Sequence, residues 1–398
     1  MAEPRRLETA KHTHLRDRTT TSAEGLTVPP EERAAPAQPE TYEFIDRMRG
    51  IAILMVIAVH YSQNFVHPAI RAGGMVGQFG VQLFFVASAV TLCLSADRHR
   101  REPHAIRNFY IRRWFRVAPL YYFGVGLYWA IFAADGRGEA YTAGNIAANL
   151  GFIHGFVPSA NNTIVPGGWS VAVEMTFYLL FPVLYDVAQR LWRIRGLAGV
   201  RVGLGVVFAG LLAFQLAFLA ITGHPIGNSS FAYFFFANQF PVFAMAMAWH
   251  LAVFRGGQRL ASPGMALACF GGLIALCGAI LDANLQPLFG VTQAIAALAF
   301  LCLAEWLRGR RGNGRLLAEI GKVSYSLYVL HFALVWWPVR WIVATLHGNA
   351  GAELALLVPL YLATVAVLFA VARLSKRYVE DPGTVLGRSL IRRLATQP

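Results

Sequence analysis

From Ile45 onward the sequence is a succession of apolar runs, each near the length a helix needs to cross a bilayer, separated by short polar breaks. A hydrocarbon core roughly 30 Å thick takes about 20 helical residues, and every backbone group inside it must bond within its own segment. The pattern predicts an all-α, polytopic integral membrane helix bundle. Ten transmembrane helices fit, near 50–66, 77–95, 117–134, 171–190, 200–222, 232–254, 263–281, 287–306, 323–346 and 354–375. An even number puts both termini on one side. Only 14% of the residues are charged, well below the roughly 25% of an ordinary soluble domain.

The net charge of +14 poses a choice between nucleic acid and membrane, and the placement of the cations decides it. Of 35 Lys and Arg residues, 32 fall on the side the termini share; Arg71 and Arg137 lie in the outer loops and Arg340 inside the ninth span. Cations near span ends stay cytoplasmic when loops are short. Both termini are therefore expected in the cytoplasm, and no nucleic-acid partner is needed. Residues 1–43, rich in Pro, Glu, Arg, Thr and Ala, read as a disordered cytoplasmic tail without a signal-peptide-like stretch. Residues 44–378 form the transmembrane domain and 379–398 a cytoplasmic C-terminal tail. The moderately apolar segment 141–157 reads as an interfacial or re-entrant element of the long outer connection 135–170, because counting it as a span would reverse every later loop. Asn161 opens a glycosylation-like Asn-Asn-Thr to which no role is given. Cys93, Cys269, Cys277 and Cys302 all sit in apolar runs, without CxxC spacing or a nearby His, so neither a disulfide framework nor a metal site is expected.

Ionisable groups inside spans are costly and tend to be functional. Asp186 stands four residues before Arg190, which predicts a plain ion pair. His250, Glu305 and Arg373 read as snorkelling to the inner interface. Arg340, beside Trp336, Trp337 and Trp341, fits an outer aromatic belt, with sugar binding as the other reading. His60 differs, because it lies roughly 15 Å into the first span at 1.5 Å per residue. Eleven steps of about 100° return it to the helical face of Arg49. Glu174 enters its span from the outer side, and pairing with His60 would satisfy both groups. Arg113 and Arg116, three apart on an inner helical turn, could grip phosphates or simply mark the inner face.

The sequence carries six elements in order. They are the Asp46-x-x-Arg49-Gly run with His60 eleven residues beyond Arg49; GVQLFFVASA around Ser88; RRWFRVAP with Arg113 and Arg116; GGWSVAVE with Trp169, Ser170 and Glu174; IGKVSYSLYVLH with Ser324, Tyr325 and His331; and Glu380-Asp381-Pro382. Together they resemble the acyltransferase-3 family of integral-membrane acyltransferases, across residues 44–382. Ala89 departs from the glycine usual after the serine, and the chain is similar to stand-alone members without an added extracytoplasmic domain.

That resemblance implies an O-acyltransferase of the plasma (inner) membrane. It would move an acyl group, acetyl by family frequency, from cytoplasmic acyl-CoA to a hydroxyl of a carbohydrate or another small acceptor. Lipids would be its other partners, and no metal is implied. His60 and Glu174 would be catalytic, with His60 as general base or as an acylated relay. Arg49, Arg113 and Arg116 would bind the CoA phosphates. Asp46, Ser88, Trp169, Ser170, Ser324, Tyr325 and His331 would support them. A proton-coupled transporter of an acylated or lipid-linked molecule uses the same His60 and Glu174 and stays open at this stage.

Overall fold

The computed structural model describes residues 40–259, 262–282, 292–310 and 314–396; most of the expected N-terminal tail lies outside them. Among the described residues the chain is helical, with no strand. The first six helices are α1 (Glu40–Ser62), α2 (Pro68–Gly74), α3 (Gly80–Arg98), α4 (Ala105–Ala134), α5 (Ala143–Leu150) and α6 (Gly168–Thr222). They are followed by α7 (Phe231–Phe234), α8 (Phe236–His250), α9 (Pro263–Asp282), α10 (Thr292–Arg308) and α11 (Arg315–Lys322). The last four are α12 (Ser324–Leu334), α13 (Arg340–Ala344), α14 (Ala350–Ser375) and α15 (Asp381–Ala395).

Six helical stretches among the described residues are long and apolar enough to cross a membrane: 68–98, 105–134, 168–222, 231–255, 324–344 and 350–395. The longest is two helices in one. Gly196 takes φ 55°, ψ −136°, a conformation open to glycine and hard for other residues, and the chain doubles back there. Leu184, Val187 and Leu191 then line one apolar crevice with Val200, Leu204 and Val207. The expected spans 171–190 and 200–222 are thus the two arms of one helical hairpin.

Large apolar side chains cover the outside of the bundle, including Val183, Val206, Leu212, Ile221, Val358 and Leu362, all more than half exposed. A water-soluble surface does not present such a continuous greasy face. The interior is built around α1, which packs along α11, α3, α10, α12 and α14, with Met48, Ala52, Ile53 and Ile57 fully buried.

The segment expected as a C-terminal tail is structured: α15 lies along α4. Gly383 and Gly387, four apart, let it approach closely, since a Cβ at Gly383 would meet the Phe115 carbonyl and Pro119, and one at Gly387 would meet Phe115 at 2.7 Å. This is the small-xxx-small device of membrane helix pairs. Pro119 also leaves the Phe115 carbonyl without its helical partner. The docked helix braces the turn that carries Arg113 and Arg116.

One local expectation changes. His250 is fully buried rather than at an interface, and its Nε2 lies 3.0 Å from Asp97, which also accepts from Arg255 at 2.5 Å and from Tyr185 at 2.9 Å. Three polar partners hold that carboxylate, which stays partly exposed. Asn161 is buried, which leaves no room for a glycan, and its neighbour Asn162 instead accepts the Gly167 N–H at 2.8 Å. Asp186 and Arg190 do form the expected ion pair, at 2.8 Å.

Candidate active site

Most of the residues expected to act together, though neither Asp46 nor His331, line two adjoining cavities that share the side chains of Val81 and Tyr328. The first, about 80 Å³, opens among α1, α3, α4, α6 and α12. It gathers Arg49, Ser88, Arg113, Arg116, Ser170, Glu174, Ser324 and Tyr325. These come from five separate sequence elements, so their meeting is a product of the fold. Arg49 donates to Thr91 Oγ1 at 3.0 Å and pairs with Asp46 at 3.6 Å. Arg113 makes no ion pair among the described residues; its guanidinium lies over the rings of Phe109 and Tyr178 and its buried Nε has no acceptor. Arg112 is held away from the cavity by Glu102, at 3.0 Å. Burial raises the Glu102 carboxyl, but hydrogen bonds from Arg112 and Asn108 outweigh it and hold the pKa below its ordinary value.

Arg116 is braced from behind by Glu380, whose carboxylate is fully buried and also accepts from Ser326 at 3.1 Å and Lys376 at 3.3 Å. The Arg116 side chain stays 35% exposed. Glu380 belongs to the closing Glu-x-Pro element, yet its role as an arginine anchor is not visible in that spacing. Three guanidinium groups and one carboxylate, Glu174, line this cavity, with Asp46 and Glu380 paired to Arg49 and Arg116 from behind; the face it presents is cationic, suited to a multiply charged anion.

Glu174 does not meet His60, which corrects the expected pairing. Its Oε1 accepts from Ser88 Oγ at 2.6 Å and from Tyr178. Ser88 is thereby fixed, and Ala89, where the family usually has glycine, is fully buried beside it. Tyr178 stands one helical turn after Glu174, a facing pair that the i,i+4 rule could have identified.

His60 lines the second cavity, about 180 Å³, with Gln63, Asn162, Trp169, Asn228 and Phe332. Gln63 Oε1 lies 3.3 Å from Nδ1 of His60. With that oxygen as acceptor, Nδ1 carries the proton and Nε2 is the basic nitrogen. The ring centroid of His331 is 5.3 Å from that of His60, and Phe332 is 4.3 Å away. His331 Nδ1 donates to the Tyr328 carbonyl at 2.6 Å, and its Nε2 is buried without a partner. A carbonyl only accepts, so the tautomer of His331 is set.

The wall between the cavities is a hydrogen-bonded joint. Gly167 at φ 78° begins α6, and its carbonyl accepts from Ser170 Oγ and from Tyr328 OH, both at 3.0 Å. The single proton of Ser170 Oγ has a second acceptor within reach, the Tyr328 hydroxyl oxygen at 2.7 Å. Tyr328 was missed in sequence because its element offers four hydroxyls in five residues. Behind the joint, Tyr121 OH donates to Asn149 at 2.7 Å and lies 3.0 Å from Nε2 of the buried His154. The 141–157 segment is thus a packed cap containing α5 rather than a loose loop. Trp169 stacks on Phe234 at 4.4 Å beside the second cavity.

Residues 42–373 match the family described as "Acyltransferase domain". The chain is 24% identical over 383 residues to Acyltransferase MdmB of Streptomyces mycarofaciens, covering 88% of this chain and 93% of that protein. It is 23% identical over 381 residues to the putative peptidoglycan O-acetyltransferase YrhL of Bacillus subtilis, covering 88% and 56%. A shorter match, 28% over 151 residues, covers 35% of this chain and 23% of the peptidoglycan O-acetyltransferase OatA of Listeria monocytogenes. No solved structure matches. With its apolar helical bundle and a family match across most of its length, the chain belongs to the acyltransferase-3 family and is an integral-membrane acyltransferase.

Proposed function

We propose that the protein carries an acyl group from a cytoplasmic acyl-CoA, acetyl-CoA foremost, to a hydroxyl of a carbohydrate or another small acceptor in the plasma membrane. The observation that carries this reading is the pair of adjoining cavities, one cationic and one holding His60, which share Tyr328 and Val81 in their linings. The topology proposed with it is ten spans with both termini cytoplasmic, since 32 of 35 cations then lie inside.

In this reading Arg49, Arg113 and Arg116 bind the phosphates of CoA at the basic mouth, and the thioester extends past Ser88 and Ser170 toward Tyr328. Nε2 of His60 takes the proton of the acceptor hydroxyl as its oxygen attacks the thioester carbonyl. The carbon–sulfur bond breaks and the thiolate recovers the proton from the imidazolium. General base catalysis of this kind contributes about 10²–10⁴ in rate. His331, its tautomer set by Tyr328, stands where it can hold the His60 ring as charge develops. Glu174 instead orders Ser88 and Tyr178 around the donor.

The test is thiol release from acetyl-CoA by the purified protein in lipid nanodiscs, with and without an acceptor glycan. Acceptor-dependent release supports transfer. Movement of an acylated molecule across vesicles without consumption of acetyl-CoA would replace the reading with transport.

A further inference from the structure

Arg71, Arg137 and Arg340 are the three cations placed outside the inner face. The fold brings all three to one open cavity of about 910 Å³, at the opposite end of α1 from Arg49. Cations in short outer loops oppose the orientation set by the inner ones, so three at one spot call for a use. Arg137 pairs with Asp135 at 2.5 Å and lies over Phe132 and Trp337, at 4.9 and 5.9 Å. Arg71 and Arg340 make no ion pair among the described residues. The cavity therefore keeps about two uncompensated positive charges, beside the indole rings of Trp336, Trp337 and Trp341.

The cavity is tied to the reacting group. Gln63 lines both it and the chamber of His60, and holds His60 by the 3.3 Å contact described above. The strand of chain between them is fixed, because the buried Glu353 carboxylate accepts the backbone N–H of Val66 and of His67, at 3.3 and 2.9 Å. A ligand seated among the arginines would be one side chain from the imidazole.

We propose that this cavity is the acceptor's binding site and that it takes a glycan bearing an anionic group, carboxylate or phosphate. The guanidinium groups of Arg71 and Arg340 grip the charge, and the indoles take the apolar faces of the sugar rings. This rests on the reading of His60 as the group that meets the acceptor. An anionic lipid headgroup offers the same charge chemistry, and the experiment separates the two.

Trigalacturonate and neutral maltotriose are titrated calorimetrically into the full-length protein in phosphatidylcholine nanodiscs, with no acyl-CoA present. Without a donor, the outcome does not depend on whether His60 carries the transfer. The expected result is saturable binding of trigalacturonate, at least tenfold tighter than maltotriose and weakened by salt. It should be at least tenfold weaker in the Arg71→Gln/Arg340→Gln protein, and intermediate in Arg71→Lys/Arg340→Lys. Equal affinity for the two sugars would overturn the proposal, as would unchanged affinity in the glutamine variant. Loss of trigalacturonate binding in nanodiscs containing phosphatidylglycerol, with no trigalacturonate binding in phosphatidylcholine alone that depends on the arginines, would assign the site to a headgroup and overturn it too.

Discussion

The imidazoles of His60 and His331 face each other across 5.3 Å, in contact through Phe332 rather than by a hydrogen bond. One comes from α1 and the other from α12, and among the described residues neither hydrogen-bonds Glu174. The His331→Ala variant should lose about 10²-fold in kcat while its KM for acetyl-CoA changes by less than threefold, since His331 touches the His60 ring and not the cationic cavity. Steady-state thiol release at varied donor concentration gives both constants. A KM effect without a kcat effect would place His331 in donor binding instead.

Glu174 belongs to Ser88 and Tyr178, which separates two accounts of its part. If it stabilised a His60 imidazolium, Glu174→Gln would move the acidic limb of the pH–rate profile, because the imidazole would hold its proton less firmly. The geometry predicts no movement of that limb, together with a rise of about tenfold in KM for the donor. The kcat profile against pH, in both proteins, decides.

Arg113 is the cation of the first cavity without a carboxylate partner. Arg113→Ala should weaken acetyl-CoA binding by about tenfold and flatten its salt dependence, whereas Arg113→Lys, a point charge without the planar fork, should recover part of the affinity. Equilibrium binding at two salt concentrations measures this.

The sequence made the helical class, the hairpin arms and the basic end legible because apolar run length and cation placement are each set by the bilayer itself. The expected grouping of Arg49, Arg113 and Arg116 matches their shared cavity, and it rested on the family resemblance more than on spacing. Partner choice was not. Glu174 was assigned to His60 on depth alone, but depth says nothing of the angle at which two helices present their side chains, and Ser88 on α3 stands between. The burial of His250 against Asp97, and of Glu380 against Arg116, depends on contacts 153 and 264 residues apart in sequence, which no local pattern encodes. The docking of α15 was hidden for the same reason: its two glycines have meaning only beside Phe115 and Pro119.

That docking makes its own prediction. Gly387→Leu would force a branched side chain into Phe115, an overpacking that typically costs about 1–3 kcal/mol, and Glu380→Gln would leave Arg116 without its buried counter-charge. Both should lower the melting temperature in detergent by several degrees, and both should weaken donor binding through Arg116. Gly387→Ala, with the smallest addition, should fall between Gly387→Leu and the native protein.

The central claim is that His60 is the basic group of an acyl transfer. It is tested most directly by thiol release from acetyl-CoA in nanodiscs containing acceptor, comparing the native protein with His60→Ala purified to the same monodispersity and melting temperature. The account predicts a loss of at least 10²-fold in kcat with donor affinity intact, because His60 lies beyond Tyr328 from the arginines. Native-level release from the His60→Ala protein would contradict it.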